Sequence, residues 1–171
     1  MLATIIQKDM KFIAITIFCL ISIFTFGQKK SEIDYYRALI DSFQFDNYTV
    51  AESIQNKIEK LDTASLKDFS PDIFANIVYQ YNKIDSANFS GHYAIISWGC
   101  GSPCQMNAII DLTTGKIDET FSTSNGLDFK KNSYLLILDP PDKSMFDKHY
   151  RDLIGPPKFY IWEKNKLKKL K

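Results

Sequence analysis

The chain has 171 residues, with 21 Lys and Arg against 20 Asp and Glu and a formal net charge of +1 with histidine neutral. That balance lacks the basic excess on which phosphate affinity depends, and it excludes a dedicated nucleic-acid-binding surface. Length and a 45% hydrophobic content are enough for one domain with a real core.

Residues Phe12 to Phe26 form an uncharged, mostly apolar run, preceded by Lys8 and Lys11 and followed by Gly27. A membrane-spanning helix needs about 20 apolar residues, and this run is shorter. A basic lead, a short apolar core and a small residue at its exit fit a cleavable secretion signal. The expectation is a signal peptide over 1–27 and a single domain over 28–171, exported to the periplasm or beyond, touching membrane only through the signal before cleavage. An uncleaved anchor is the alternative, kept open by Lys29 and Lys30. Cys19 lies within the run and lacks the small preceding residues that lipid processing expects. Met10-Lys11-Phe12 makes a more compact basic lead than Met1 to Asp9, so translation is expected to start at Met10.

Three helices are predicted next. Ser31 to Phe43 spaces Ile33, Tyr36, Leu39, Ile40 and Phe43 at three- and four-residue intervals behind a capping-box-like Ser31 and Asp34. Thr49 to Leu61 repeats the pattern with Val50, Ile54, Ile58 and Leu61. Ser70-Pro71-Asp72 is a start signal for a third helix with a buried stripe of Ile73, Phe74, Ile77, Val78 and Tyr81; a strand over Ile77 to Tyr81 is the alternative.

From Phe89 the composition turns to β. His92 to Trp98 and Gln105 to Leu112 are apolar runs separated by Gly99-Cys100-Gly101-Ser102-Pro103-Cys104, the pattern of a hairpin. Leu112 to Lys116 is a second hairpin turn with Gly115 at a left-handed position, returning as Ile117 to Ser122. Ser133 to Asp139 is a nearly all-apolar strand, predicted central and stopped by Pro140-Pro141. Lys158 to Glu163 and Lys166 to Leu170 form a last hairpin turning at Lys164-Asn165, its lysines on the solvated side of an edge strand. Helices followed by strands predict an α+β domain: N-terminal helices packed on an antiparallel sheet of about five or six strands built from hairpins.

Outside the leader only Cys100 and Cys104 remain, and in an oxidising compartment such an isolated pair is most simply a disulfide stapling the hairpin tip. Trp98 is expected to pack beside it. The stretch Asn88-Phe89-Ser90-Gly91-His92-Tyr93, then Trp98-Gly99-Cys100-Gly101 and Cys104, then an apolar strand ending at Asp111 before Thr114-Gly115, resembles a family of uncharacterised exported bacterial proteins. The likeness runs from about Asn88 to Lys116, with weaker echoes at Ser133 to Pro140 and Tyr160 to Leu170. It implies an exported α+β domain with a hairpin disulfide and adds no catalytic residue.

Candidates for function are sparse. A dithiol redox role needs two residues between cysteines at a helix N-terminus, whereas here three lie between strands. No zinc spacing joins the cysteines to His92 or His149, and no cofactor motif is present. A hydrolase would have to use His92, with Asp111 as its acid, and no nucleophile motif accompanies them. Nine tyrosines and two tryptophans suit recognition surfaces. Binding is thus the favoured role, of an envelope protein, glycan or small ligand, through the loop Gly99 to Gln105. Its candidate contacts are Tyr93, Trp98, Ser102 and Gln105.

Overall fold

The computed structural model describes residues 38–39, 41–51, 57, 59–140 and 155–170. The apolar run over 12–26, most of the helix expected over 31–43 and His149 lie outside them. The chain divides into two units, Met1–Phe43 and Gln44–Lys171. In the first, residues 38, 39, 41 and 42 are helical, and the Ser42 hydroxyl donates to the Ala38 carbonyl at 2.6 Å.

The second unit holds seven strands among its described residues. Strands β1 (Tyr93–Gly101), β2 (Cys104–Asp111) and β3 (Lys116–Thr123) form one antiparallel sheet in that order. Strands β4 (Leu127–Phe129), β5 (Leu135–Leu138), β6 (Lys158–Glu163) and β7 (Lys166–Lys169) form a second, also antiparallel and in chain order. A helix spans Pro71–Tyr81, and short 3-10 turns occupy Phe45–Asn47 and Thr63–Leu66.

Strand alternation makes the first sheet the middle layer. Side chains two apart share a face. Ala94, Ile96 and Trp98 of β1 join Ala108 and Ile110 of β2 against Ile77 and Tyr81 of the helix. The intervening Tyr93 and Ile95, with Ile109, pack instead on Leu136, Leu138 and Trp162 of the second sheet, where Phe89 also sits. The helix begins where Ser70-Pro71 predicts, although Ser70 caps through its carbonyl, which accepts from Phe74 N–H at 2.9 Å, and not through its hydroxyl. Of the expected stripe, Ile77 and Tyr81 are buried, Ile73 and Val78 are partly buried, and Phe74 is exposed.

The single sheet of five or six strands with N-terminal helices laid on it is overturned: there are two sheets, of three and four strands, and one described helix in this unit, which follows the first 3-10 turns. Two physical causes account for this. Over Thr49 to Leu61, the described residues 49–51, 57 and 59–61 are not helical; 52–56 and 58 lie outside the described residues. The backbone of described residues here is taken up by distant partners. Thr49 bridges Ser133, Val50 N–H donates to the Asn132 carbonyl at 2.9 Å, and Glu59 N–H donates to the Leu112 carbonyl at 3.3 Å. Such tertiary hydrogen bonds outweigh a helical propensity worth tenths of a kcal/mol per residue.

The second cause is the break between β3 and β4 at Ser124-Asn125-Gly126. Asp139, buried and at φ +54°, accepts from Ser124 N–H at 2.6 Å and Asn125 N–H at 2.8 Å through one carboxylate oxygen. Its other oxygen lies 3.3 Å from the Lys158 ammonium. This junction turns the chain out of the first sheet and starts it in the second.

Candidate functional site

The Cys100–Cys104 disulfide closes the tip of the β1–β2 hairpin, with Cα atoms 5.1 Å apart. Gly101, at φ +115°, supplies the one backbone conformation in this turn that an L side chain rarely adopts. Gly99 has no such need, and a Cβ there would meet nothing within 4 Å. Both cysteines are exposed. A disulfide-stabilised hairpin is consistent with an oxidising compartment.

Beside the tip lies an open trough of about 500 Å3 between two chain segments remote in sequence, Gly101–Gln105 on one side and Ser124–Gly126 on the other. Its lining is uncharged: Ser102, Pro103, Gln105, Ser124 and Asn125 present hydroxyls, amides and a proline ring. The walls are held from behind. Asp139 fixes the Ser124–Asn125 backbone, the Asn125 amide donates to the Pro140 carbonyl at 3.0 Å, and Gln105 Oε1 accepts from the Thr123 hydroxyl at 3.4 Å. Deeper in the sheet, Asn107 is fully buried and tied to Ser97 at 2.7 Å and Thr123 at 3.2 Å.

At the other end of the same sheet, His92, Tyr93 and Asp111 come together. The His92 and Tyr93 rings lie 4.2 Å apart, and His92 Nε2 is 3.8 Å from Asp111 Oδ1, an electrostatic contact beyond hydrogen-bond reach. That Asp111 oxygen already accepts from the Thr113 N–H at 2.8 Å and hydroxyl at 2.6 Å, which builds the β2–β3 turn. The Tyr93 hydroxyl donates to Asn165 Oδ1 at 2.9 Å, and its ring meets Trp162 edge-on. Burial, with smaller contributions from Asp111 and Asp118, pushes the Tyr93 pKa up, while the neighbouring Trp162 N–H opposes the shift. That indole N–H nevertheless makes no hydrogen bond of regular geometry.

Asp118 completes this cluster. It sits at the bulge where β3 slips by one residue against β2, between the pairs Ile109–Glu119 and Ile110–Ile117. One of its carboxylate oxygens is buried without a partner. Burial and then the Asp111 carboxylate raise its pKa, against the opposing Lys116 and His92. No protein family, curated protein or solved structure matches this chain.

The expected site residues therefore separate into three places. Ser102 and Gln105 line the trough with the disulfide. His92, Tyr93 and Asp111 occupy the opposite end, where His92 is 40% exposed and Tyr93 is buried. Trp98 is 6% exposed and belongs to the core between the first sheet and the helix. Sequence reading missed Ser124, Asn125 and Gly126, although Asn-Gly is a turn signature; it also missed Asp118, at the β3 bulge, and Trp162 and Asn165, which only the second sheet brings in. Among the described residues, no group of three or more His, Cys, Asp and Glu is arranged to hold a metal ion.

Proposed function

We propose that the protein is an exported, disulfide-stabilised binding domain that takes a neutral, hydroxyl-rich ligand, such as an envelope glycan, in the trough beside the stapled tip. The observation that carries this is the trough's lining. Serine hydroxyls and side-chain amides both donate and accept hydrogen bonds, as sugar hydroxyls do, and the absence of charge among the lining residues favours a neutral partner. Rigid walls lower the ordering cost of binding. A disulfide and a buried carboxylate brace them here.

A hydrolase centred on His92 has weaker support, because Asp111 spends its near oxygen on the turn and lies 3.8 Å from the ring. A thiol–disulfide role for Cys100 and Cys104 rests only on their exposure.

The test is an amide-resolved NMR titration with neutral oligosaccharides released from the envelope. Saturable shifts confined to residues 101–105 and 124–126, abolished by Ser102→Tyr or Ser124→Tyr, are the expected outcome. Shifts centred on His92 and Asp118 would move the site to the other end of the sheet.

A further inference from the structure

A second concavity, of about 380 Å3, opens between Lys57, residues 59–63 and the end of the helix Pro71–Tyr81. It lies at the turn end of the first sheet, remote from the stapled tip. Leu61 and Val78 supply its apolar wall, with the buried Tyr81 at its edge; Lys57, Lys60 and Thr63 stand among its polar residues.

Both sides are held apart by backbone. On one side, Glu59 N–H donates to the Leu112 carbonyl at 3.3 Å and Asp62 N–H to the Gly115 carbonyl at 2.8 Å, so this segment is hung on the β2–β3 turn. On the other, the helix is seated by Ile77 in the core. The Tyr81 hydroxyl spans the gap and donates to the Glu59 carbonyl at 2.9 Å. The segment thus has little freedom to collapse into the space.

Charge then selects an occupant. The Lys57 ammonium lies 4.4 Å from the Tyr81 ring centroid and donates to the Tyr81 carbonyl at 3.4 Å, which fixes its position without neutralising it. Among the described residues neither Lys57 nor Lys60 has a carboxylate within ion-pair distance. Glu59 also lines the cavity, leaving an excess of one cation. An apolar wall of this size with a few convergent polar groups is the usual make-up of a small-ligand site.

We propose that this cavity binds a small amphipathic carboxylate, its hydrocarbon body against Leu61 and Val78 and its carboxylate at Lys57 and Lys60. An anion held there gains charge-assisted hydrogen bonds while its head remains near water, avoiding the cost of full charge burial. The site is independent of the trough, and its ligand differs in charge and polarity.

The test uses the protein as recovered from its cell, titrated with decanoate and, in parallel, with decanol, which keeps the tail and lacks the charge. Wild type is expected to bind decanoate saturably, at least tenfold more tightly than decanol, with methyl shifts at Leu61 and Val78 and none at Ser102 or Ser124. Lys57→Gln combined with Lys60→Gln should remove that tenfold preference and leave decanol affinity unchanged. Val78→Trp should abolish binding of both. The wild-type shift map stands even if a variant fails to fold. Absence of saturable binding, equal affinity for the two probes, or shifts at other methyls would overturn the proposal.

Discussion

At Gly115 two demands fall on one residue. Its φ is +72°, and a Cβ would run into the Lys60 carbonyl, against which the turn is packed. Gly115→Ala is expected to cost about 2 kcal/mol or more, since a left-handed non-glycine residue alone costs roughly 1–3 kcal/mol. Gly99→Ala, in open space with no positive φ, should stay within about 0.5 kcal/mol; urea denaturation of both variants checks the contrast. Asp118 gives a pH signature. Its carboxyl holds a proton more tightly in the folded state than in the unfolded one, so stability falls as pH rises from the ordinary carboxyl value of 3.8 through the raised folded value. Asp118→Asn should therefore melt at a higher temperature than wild type at pH 7 and lose that advantage at pH 3; a wild type more stable than the variant at pH 7 would contradict the unpartnered carboxylate. Of these two residues, Gly115 was legible in Asp111-Leu112-Thr113-Thr114-Gly115-Lys116, because turn chemistry is local. Asp118 was not, since its placement depends on a bulge against β2 that no local pattern announces.

Among the elements, β1 is an edge strand, and its free edge is covered by a side chain. Asn88 Oδ1 accepts from Ile95 N–H at 2.8 Å, and its Nδ2 donates to the Ile95 carbonyl at 3.0 Å, standing in for one rung of a neighbouring strand. Asn88→Ala is expected to lose roughly 1–3 kcal/mol for the two backbone groups left without these partners, measured by chemical denaturation with hydrogen exchange at Ile95 as the local reporter. The disulfide, closing a short ring, should contribute about 2 kcal/mol on the loop-entropy view, and a Cys100→Ser, Cys104→Ser double variant measures it. The hairpins β1–β2, β2–β3 and β6–β7 fell where their turn residues predicted, and Lys164 and Asn165 adopt the positive φ that a two-residue turn demands. Strand β4 escaped because Leu127-Asp128-Phe129 is too short for periodicity to register. Residues 49–51, 57 and 59–61 misled because apolar spacing of three and four also arises in irregular chain whose hydrogen bonds go elsewhere.

The whole molecule depends on what no hairpin specifies, namely which hairpins share a sheet. The first sheet buries both of its faces, against the helix on one side and the second sheet on the other. Two of its strands, β1 and β2, read as apolar runs rather than clean alternation, and that signal was visible in Ala94 to Trp98 and Ala108 to Leu112. The partner on each face was not, because Asp139 and the Ser124–Gly126 turn decide the switch between sheets through contacts well separated in sequence. The same separation explains why half of the trough, Ser102 and Gln105, was found from sequence and the other half was missed.

Both the proposed compartment and the rigidity of the tip rest on the thiols of Cys100 and Cys104 joining after the chain leaves the cytosol. Alkylating the protein inside intact cells and weighing it whole tests this most directly. The expected product is a chain that starts after Gly27, two hydrogens lighter than its reduced mass and carrying no alkyl group. A chain still carrying residues 12–26, alkylated at both Cys100 and Cys104, would contradict it.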